Sequence, residues 1–137
     1  MVEAEIAFLN SLEELTQFME TFIKSVVRNV LESCEEEITY YRSLLDLPKF
    51  TYETILNRSY QIMNYDEARR LLKENSHEFS HTFQETKNLT KEHELFLLKK
   101  TDNIPIFLLN WPEHLKPFYV KTSTSNSQVS ICYFIIC

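Results

Sequence analysis

The stretch NIPIFLLNWPEHLKPFYVK, residues 103–121, decides how the rest of the chain is read. Its first apolar run, residues 104–109, has strand length and is too short for a globular helix. Asn110, Trp111 and Pro112 interrupt it, because proline offers no N–H to a ladder and restrains the residue before it. Residues 116–121 form a second short run bounded by Pro117. Phe118 and Val120 fall on one face of it, Tyr119 and Lys121 on the other. The expectation is a strand–turn–strand unit with Lys116 at the start of its second strand, and an upstream chain built to bury it.

A length of 137 residues fits one domain of ordinary size. The hydrophobic share of 44% and charged share of 25% are those of a globular protein rather than a disordered or fibrous one. Fourteen basic residues lie scattered among twenty acidic ones, for a net charge of −6, and no basic stripe stands out. That balance argues against tight nucleic-acid binding by this chain alone. No stretch approaches the roughly 20 apolar residues of a membrane span, and residues 1–25 carry acidic charge and lack a signal-peptide layout. Cys34, Cys132 and Cys137 form neither a metal-ligand spacing nor an even disulfide framework, which favours a reduced compartment. The chain contains no glycine. Glycine-rich phosphate loops are therefore excluded, and helices must end without a left-handed glycine. A complete domain of this size normally holds about ten glycines, so a piece of a longer domain is expected.

Residues 1–8 alternate, with Val2, Ala4, Ile6 and Phe8 on one face, and predict a strand. Ser11 and Glu14 form a capping box that opens a long helix. Leu12, Leu15, Phe18, Met19, Phe22, Ile23, Val26, Val27, Val30 and Leu31 keep its apolar face, and it is expected to stop near Cys34, before the acidic run 35–37. The stripe of Leu15, Phe18, Phe22 and Val26 is expected to pack on the strand pair. Residues 37–62 read as a short helix and connector broken at Pro48. Asn64 and Glu67 form a second capping box opening a helix through Lys73, residues 75–89 are polar and irregular, and Thr90 starts a helix over 91–100 with lysines at its negative end. The polar tract 122–128 and the apolar run 129–137 close the chain, the latter expected beside residues 116–121. The fold class expected is α+β, with helices packed on an antiparallel sheet.

Three segments in order, MVEAEIAF, NLTKEHELFLLKK and NIPIFLLNWPEHLKPFYVK, resemble the catalytic domain of the asparaginyl-tRNA synthetase family, in its bacterial and mitochondrial variety. The likeness runs over residues 1–121, weakly through 34–62. It implies a class II synthetase fold, use of ATP and magnesium to activate asparagine, transfer to tRNA, a homodimer, no membrane, and by its variety a mitochondrial matrix address, otherwise a cytoplasmic one. MVEAEIAF is similar to the second strand of the family's motif 2, just past its ATP-binding arginine, and KPFYVK to the strand ahead of its acidic ATP- and metal-binding segment. Residues 1–121 are accordingly expected to be a partial catalytic domain, and 122–137 a tail of other origin. The family usually carries a tryptophan–glycine and an aspartate before the position of Leu89, where this chain has Glu85, Thr86 and Asn88. No acidic residue follows Glu113, so the family's acidic strands have no counterpart in the tail.

The resemblance places Glu3 where the family sets an acidic group against its amino-acid substrate, and a carboxylate can accept hydrogen bonds from an ammonium or an amide. Glu5 stands two residues on, about 7 Å away along a strand. Both also read as a solvated strand face. Lys116 reads either as a surface lysine at a turn or, by resemblance, as a residue lining the site. Phe118 and Tyr119 read as core or as one pocket wall, with Tyr119 the candidate. Glu92, His93 and Glu94 belong to the first turn of a helix, where carboxylates suit the dipole. His77 and His81 are four apart without a third ligand nearby and read as surface residues. No nucleophile–base pair is visible, so no catalytic residue or metal ligand is assigned; positioning and electrostatics would carry the family's chemistry. The rival expectation is a synthetase-like binding or dimer-interface module without catalysis. No tight cofactor binding is expected of this chain by itself.

Overall fold

The Ser11 hydroxyl accepts a hydrogen bond from the Glu14 N–H at 3.2 Å and opens α1 (Leu12–Ser33), as its sequence predicts. The computed structural model describes residues 6–9, 11–45, 50–81, 83–118, 120, 129–130 and 134–136. Two compact units divide the chain, Met1–Arg58 and Ser59–Cys137.

In the first unit α1 packs against α2 (Glu35–Leu45) and α3 (Phe50–Asn57). Glu35, Glu36 and Glu37 fill the first turn of α2, where their charge suits the helix dipole, so the acidic run opens the next helix at once. The Lys24 ammonium donates to Glu20 Oε1 at 2.6 Å and to the Arg58 carbonyl at 2.8 Å, tying α1 to the residue after α3. The stripe expected to be buried is not. Phe22 is 45% exposed, and Phe18, Val26 and Val30 are similarly open. The inward face is a rotated one, carrying buried Thr16 and half-buried Ile23 and Val27. The strand expected over residues 1–8 is absent from its described part: residues 6–9 are irregular, and Phe8 sits at φ 62°, which breaks an extended run.

The second unit is built on β2 (Ile106–Leu109), all four of whose residues are buried. A strand buried on both faces reads as a continuous apolar run, and residues 104–109 are such a run. Its neighbours are β1 (Gln61–Asn64) and β5 (Phe134–Ile136). The β1–β2 pair is parallel, with Gln61 opposite Ile106 and Asn64 opposite Leu109, whereas β2–β5 is antiparallel, with Ile106 opposite Ile136. The antiparallel sheet expected from the sequence is thus corrected to a mixed one. Two helices, α4 (Tyr65–Glu74) and α5 (Lys91–Lys100), fill the connection from β1 to β2, and a parallel pair needs a crossover of that kind. Within the tract read as one helix and a connector, the structure has α2, α3 and the edge strand β1.

Ile106 and Leu108 of β2 join Met63, Tyr65, Ala68, Leu72, Phe96, Leu97 and Trp111 in one apolar cluster, while Phe107 meets Tyr60 at a ring separation of 5.7 Å. Helix α5 ends without glycine. Asp102 and Asn103 adopt left-handed φ values of 53° and 59°, and the Asn103 N–H returns to the Leu98 carbonyl at 2.9 Å. Short polar residues tolerate this conformation better than other non-glycine types.

The second half of the strand–turn–strand unit is also corrected. Trp111–Pro112 forms a short strand, β3, paired with β4 (Val129–Ser130), and Glu113–Leu115 is a 3-10 turn. Residues 116–118 and 120 are bends and turns, with the Val120 N–H bonded to the Pro117 carbonyl at 3.1 Å. Pro117 cannot donate to a ladder, which fits a turn better than a strand. Within the closing apolar run β5 pairs with β2 and β4 with β3, and the described residues of 116–121 form no strand. The expected domain boundary at Lys121 lies outside the described residues.

Candidate functional site

The C-terminal edge of the parallel pair gathers the polar and aromatic groups that sequence reasoning left apart. Asn64 ends β1, and Asn110 follows β2 at φ 58°. The Asn110 side-chain amide donates to the Asn64 side-chain oxygen at 2.6 Å. Asn64 therefore makes no side-chain cap to α4, although the chain leaves β1 through it; the expected capping box is replaced by a bond across the sheet edge. The next residue on each side, Tyr65 and Trp111, turns inward, and their rings meet at 4.9 Å. The Trp111 indole N–H donates to the Leu108 carbonyl at 3.0 Å, which fixes the ring against β2.

Lys116 stands over this pair, its ammonium 3.5 Å from the centre of a Trp111 ring. The chain doubles back to reach it. Pro112 holds φ −56°, the 3-10 turn follows, and the Lys116 N–H bonds to the Glu113 carbonyl at 3.0 Å. Lys116 is half-buried and lies at the sheet edge. Glu3, Glu5 and Tyr119, the other candidate substrate contacts, lie outside the described residues. Tyr65, Trp111, Asn64 and Asn110 were not singled out as site residues by sequence. The signal that could have found Asn110 and Trp111 is their place immediately after the apolar run 104–109, since parallel strands present their carboxyl ends to ligands; Asn64 and Tyr65 follow no such run.

A charged group backs the site. Glu85 accepts from Arg69 at 3.2 Å and pairs with Lys73, while the His114 ring meets the Glu85 carbonyl at 3.3 Å. The Lys73 hydrogen bond, helped by the nearby Arg69 charge, holds the Glu85 carboxyl below the usual carboxylate range. Tyr65 is 2% exposed, and its hydroxyl has no hydrogen-bond partner among the described residues. Burial, reinforced by the negative charge of Glu85, pushes that phenol above its ordinary value.

The remaining candidates resolve as structural. Glu92 accepts from the backbone N–H groups of Ser80 and His81 and from the Ser80 hydroxyl, and these bonds, Ser80's first, lower its pKa. His93 Nδ1 accepts from the Thr90 N–H at 3.2 Å while the Thr90 hydroxyl accepts from the His93 N–H, so the two close a capping box. With Nδ1 an acceptor, Nε2 carries the proton that meets the His81 carbonyl at 3.0 Å. His77 and His81 lie in a 3-10 turn and a bend, not on one helix face. Among the described residues no three His, Cys, Asp or Glu side chains gather to hold a metal ion, and no helix is long and apolar enough to cross a membrane. Cys34 caps α1 with its N–H on the Val30 carbonyl at 2.9 Å and is half-buried.

Comparison with known proteins follows the same lines. The family model of class II tRNA synthetases (D, K and N) matches residues 1–136. Asparaginyl-tRNA synthetase of Mus musculus is 36% identical over 132 residues, covering 96% of this chain and 28% of its own length. A probable mitochondrial asparagine–tRNA ligase of Dictyostelium discoideum is 30% identical over 132 residues with the same coverage, 96% and 28%. Among solved structures, the Pyrococcus horikoshii asparaginyl-tRNA synthetase complexed with asparaginyl-adenylate has a TM-score of 0.73 at 20% identity, over 91% of this chain and 26% of that one. Structural likeness at that identity speaks for the fold. The chain thus spans little more than a quarter of the length of the relatives it matches. On the match across nearly its whole length, the chain belongs to the class II tRNA synthetase family of the D, K and N type.

Proposed function

We propose that this chain is part of an asparagine–tRNA ligase catalytic domain and supplies one wall of its amino-acid pocket. The observation that carries the reading is the likeness to asparaginyl-tRNA synthetases of animal and protist origin along 96% of the chain. In the complete enzyme a carboxylate oxygen of asparagine bonds to the α-phosphorus of ATP and pyrophosphate leaves; a tRNA hydroxyl then takes the acyl group and AMP leaves. Glu3, with Glu5 beside it, would accept hydrogen bonds from the substrate ammonium or amide, and Lys116 and Tyr119 would line the pocket. Since the described residues gather no ligand set for magnesium, none of them is assigned to it. A homodimer and a mitochondrial address follow from the family reading, the latter supported by the Dictyostelium relative. The non-catalytic module remains the rival that the experiment separates.

That experiment is nuclear magnetic resonance of the 137-residue chain titrated with a non-hydrolysable asparaginyl-adenylate analogue and with its aspartyl counterpart. Weak binding of the asparaginyl form is expected, with shifts at Lys116, loss of response in Glu3→Gln, and no asparagine-dependent pyrophosphate exchange. An equal response to both analogues, or none to either, would refute the assignment in favour of the non-catalytic module.

A further inference from the structure

Lys116 sits against one ring. The Trp111 side chain is 3% exposed, packed against Tyr65 at 4.9 Å, hydrogen-bonded to the Leu108 carbonyl, and carried on a strand residue paired with Ser130. The Tyr65 ring and the Leu108 carbonyl hold the indole from two elements while the strand pairing holds its backbone, so the ring is a fixed surface. The ammonium of Lys116 lies 3.5 Å from its centre, brought there by the Glu113–Leu115 turn. Tryptophan has the most negative face of the aromatic side chains and attracts a cation most strongly. A lysine head on a flexible stem has many rotamers, and a fixed ring below it selects among them.

We propose that Trp111 is a positioning residue: its indole face seats the Lys116 ammonium and sets the direction from which that charge meets an anionic group of the substrate. The proposal deepens the reading of Lys116 as a pocket residue and rests on it for its functional meaning. The seat itself can be tested without substrate, so failure of one leaves the other standing or falling by its own result.

The test uses the full 137-residue chain with its lysines reductively methylated in carbon-13, which keeps their charge. The Lys116 signal, assigned by its loss in Lys116→Arg, should lie upfield of that of Lys99 because of the indole ring current. Trp111→Leu should move it to the Lys99 position and Trp111→Phe part of the way. Lys100 is the internal control, since its ammonium lies 4.8 Å over Phe96 and its signal should not move. Acylation of unmodified Lys116 should speed up about two- to thirtyfold in the leucine variant relative to Lys99, the range a cation–ring contact spans. A purely structural role for Trp111 would shift many signals together and leave this selectivity absent. The proposal is overturned by a Lys116 signal that coincides with Lys99 in the unsubstituted chain, or by one unmoved in the phenylalanine variant. The unsubstituted and phenylalanine spectra decide the matter even where the leucine variant does not fold.

Discussion

Replacing Tyr65 by phenylalanine should stabilise the second unit, against the usual direction of core substitutions. The Tyr65 ring is buried in the main apolar cluster and meets Trp111 at 4.9 Å, and phenylalanine keeps both features. What it removes is a hydroxyl that is buried without a partner among the described residues. An unpaired buried hydroxyl costs about 1–3 kcal/mol. Some of that is offset by the small void left by the oxygen, so a gain of about 1–2 kcal/mol is expected. In a domain of this size that raises Tm by about 3–8 °C. Urea unfolding followed by the fluorescence of Trp111, the one tryptophan of the chain, reads it directly. Tyr65→Ala, which also removes the ring, should instead lose about 3–5 kcal/mol. The pH dependence has a definite sign. Because the folded phenol titrates above its unfolded value, the fold's preference for the neutral form is present below pH 10 and lost as pH rises through the folded pKa. The phenylalanine variant lacks that loss, so its advantage should widen in strong alkali. A Tyr65→Phe chain less stable than the parent at pH 7 would refute the reasoning and show that the hydroxyl is bonded.

Four further outcomes are expected. Phe107→Ala should cost about 3–5 kcal/mol, since Phe107 is 1% exposed, while Phe22→Ala, on an open face, should cost under about 1 kcal/mol; the contrast is read from paired urea curves. Asn103→Ala should lose about 1 kcal/mol of stability and Asn103→Gly little or none, because the position needs φ near 59°; thermal unfolding checks this. Glu85 and Glu92 both titrate below the usual carboxylate range, so their stabilisation holds above the unfolded pKa and is lost as pH falls through the lowered folded values. The acid limb of an unfolding-versus-pH profile should accordingly flatten in Glu85→Gln and Glu92→Gln. Deleting residues 122–137 should destabilise the chain, because it strips β5 from β2 and β4 from β3; unchanged stability with better solubility would instead support a tail of other origin.

What could be read from sequence was what local chemistry decides. Ser11 and Thr90 mark helix starts because a hydroxyl can take an N–H wherever the chain turns, and both do so. Residues 104–109 read as a strand because an apolar run of that length has few alternatives. The parallel pairing was not legible. Strand β1 is four residues long with only Met63 buried, so no alternation announces it, and its partner lies some forty residues on. Nor was the rotation of α1. Its apolar residues cover more than half the helix surface, so periodicity could not say which side turns inward. Pro117 sat in plain view, yet Phe118 and Val120 made a strand look better than the turn it is. The contact of Lys116 with the Trp111 ring was not legible, because the turn between them reverses the chain in a way spacing alone does not reveal.

The departure at Glu85 ties a loop to the candidate site. Where the resembled family usually carries tryptophan and glycine, this chain has Glu85 and Thr86. The structure anchors Glu85 by its carboxylate to Lys73 and Arg69 of α4, and by its carbonyl to His114, two residues before Lys116. Ion pairs as exposed as these contribute little to net stability. Their consequence is geometric: they join α4, whose first residue Tyr65 packs on Trp111, to the turn that delivers Lys116 onto that same ring. Two routes thus lead from Glu85 to the lysine, one through α4 and the aromatic pair, the other through His114 and the 3-10 turn. Both routes end at the sheet edge where the candidate site lies.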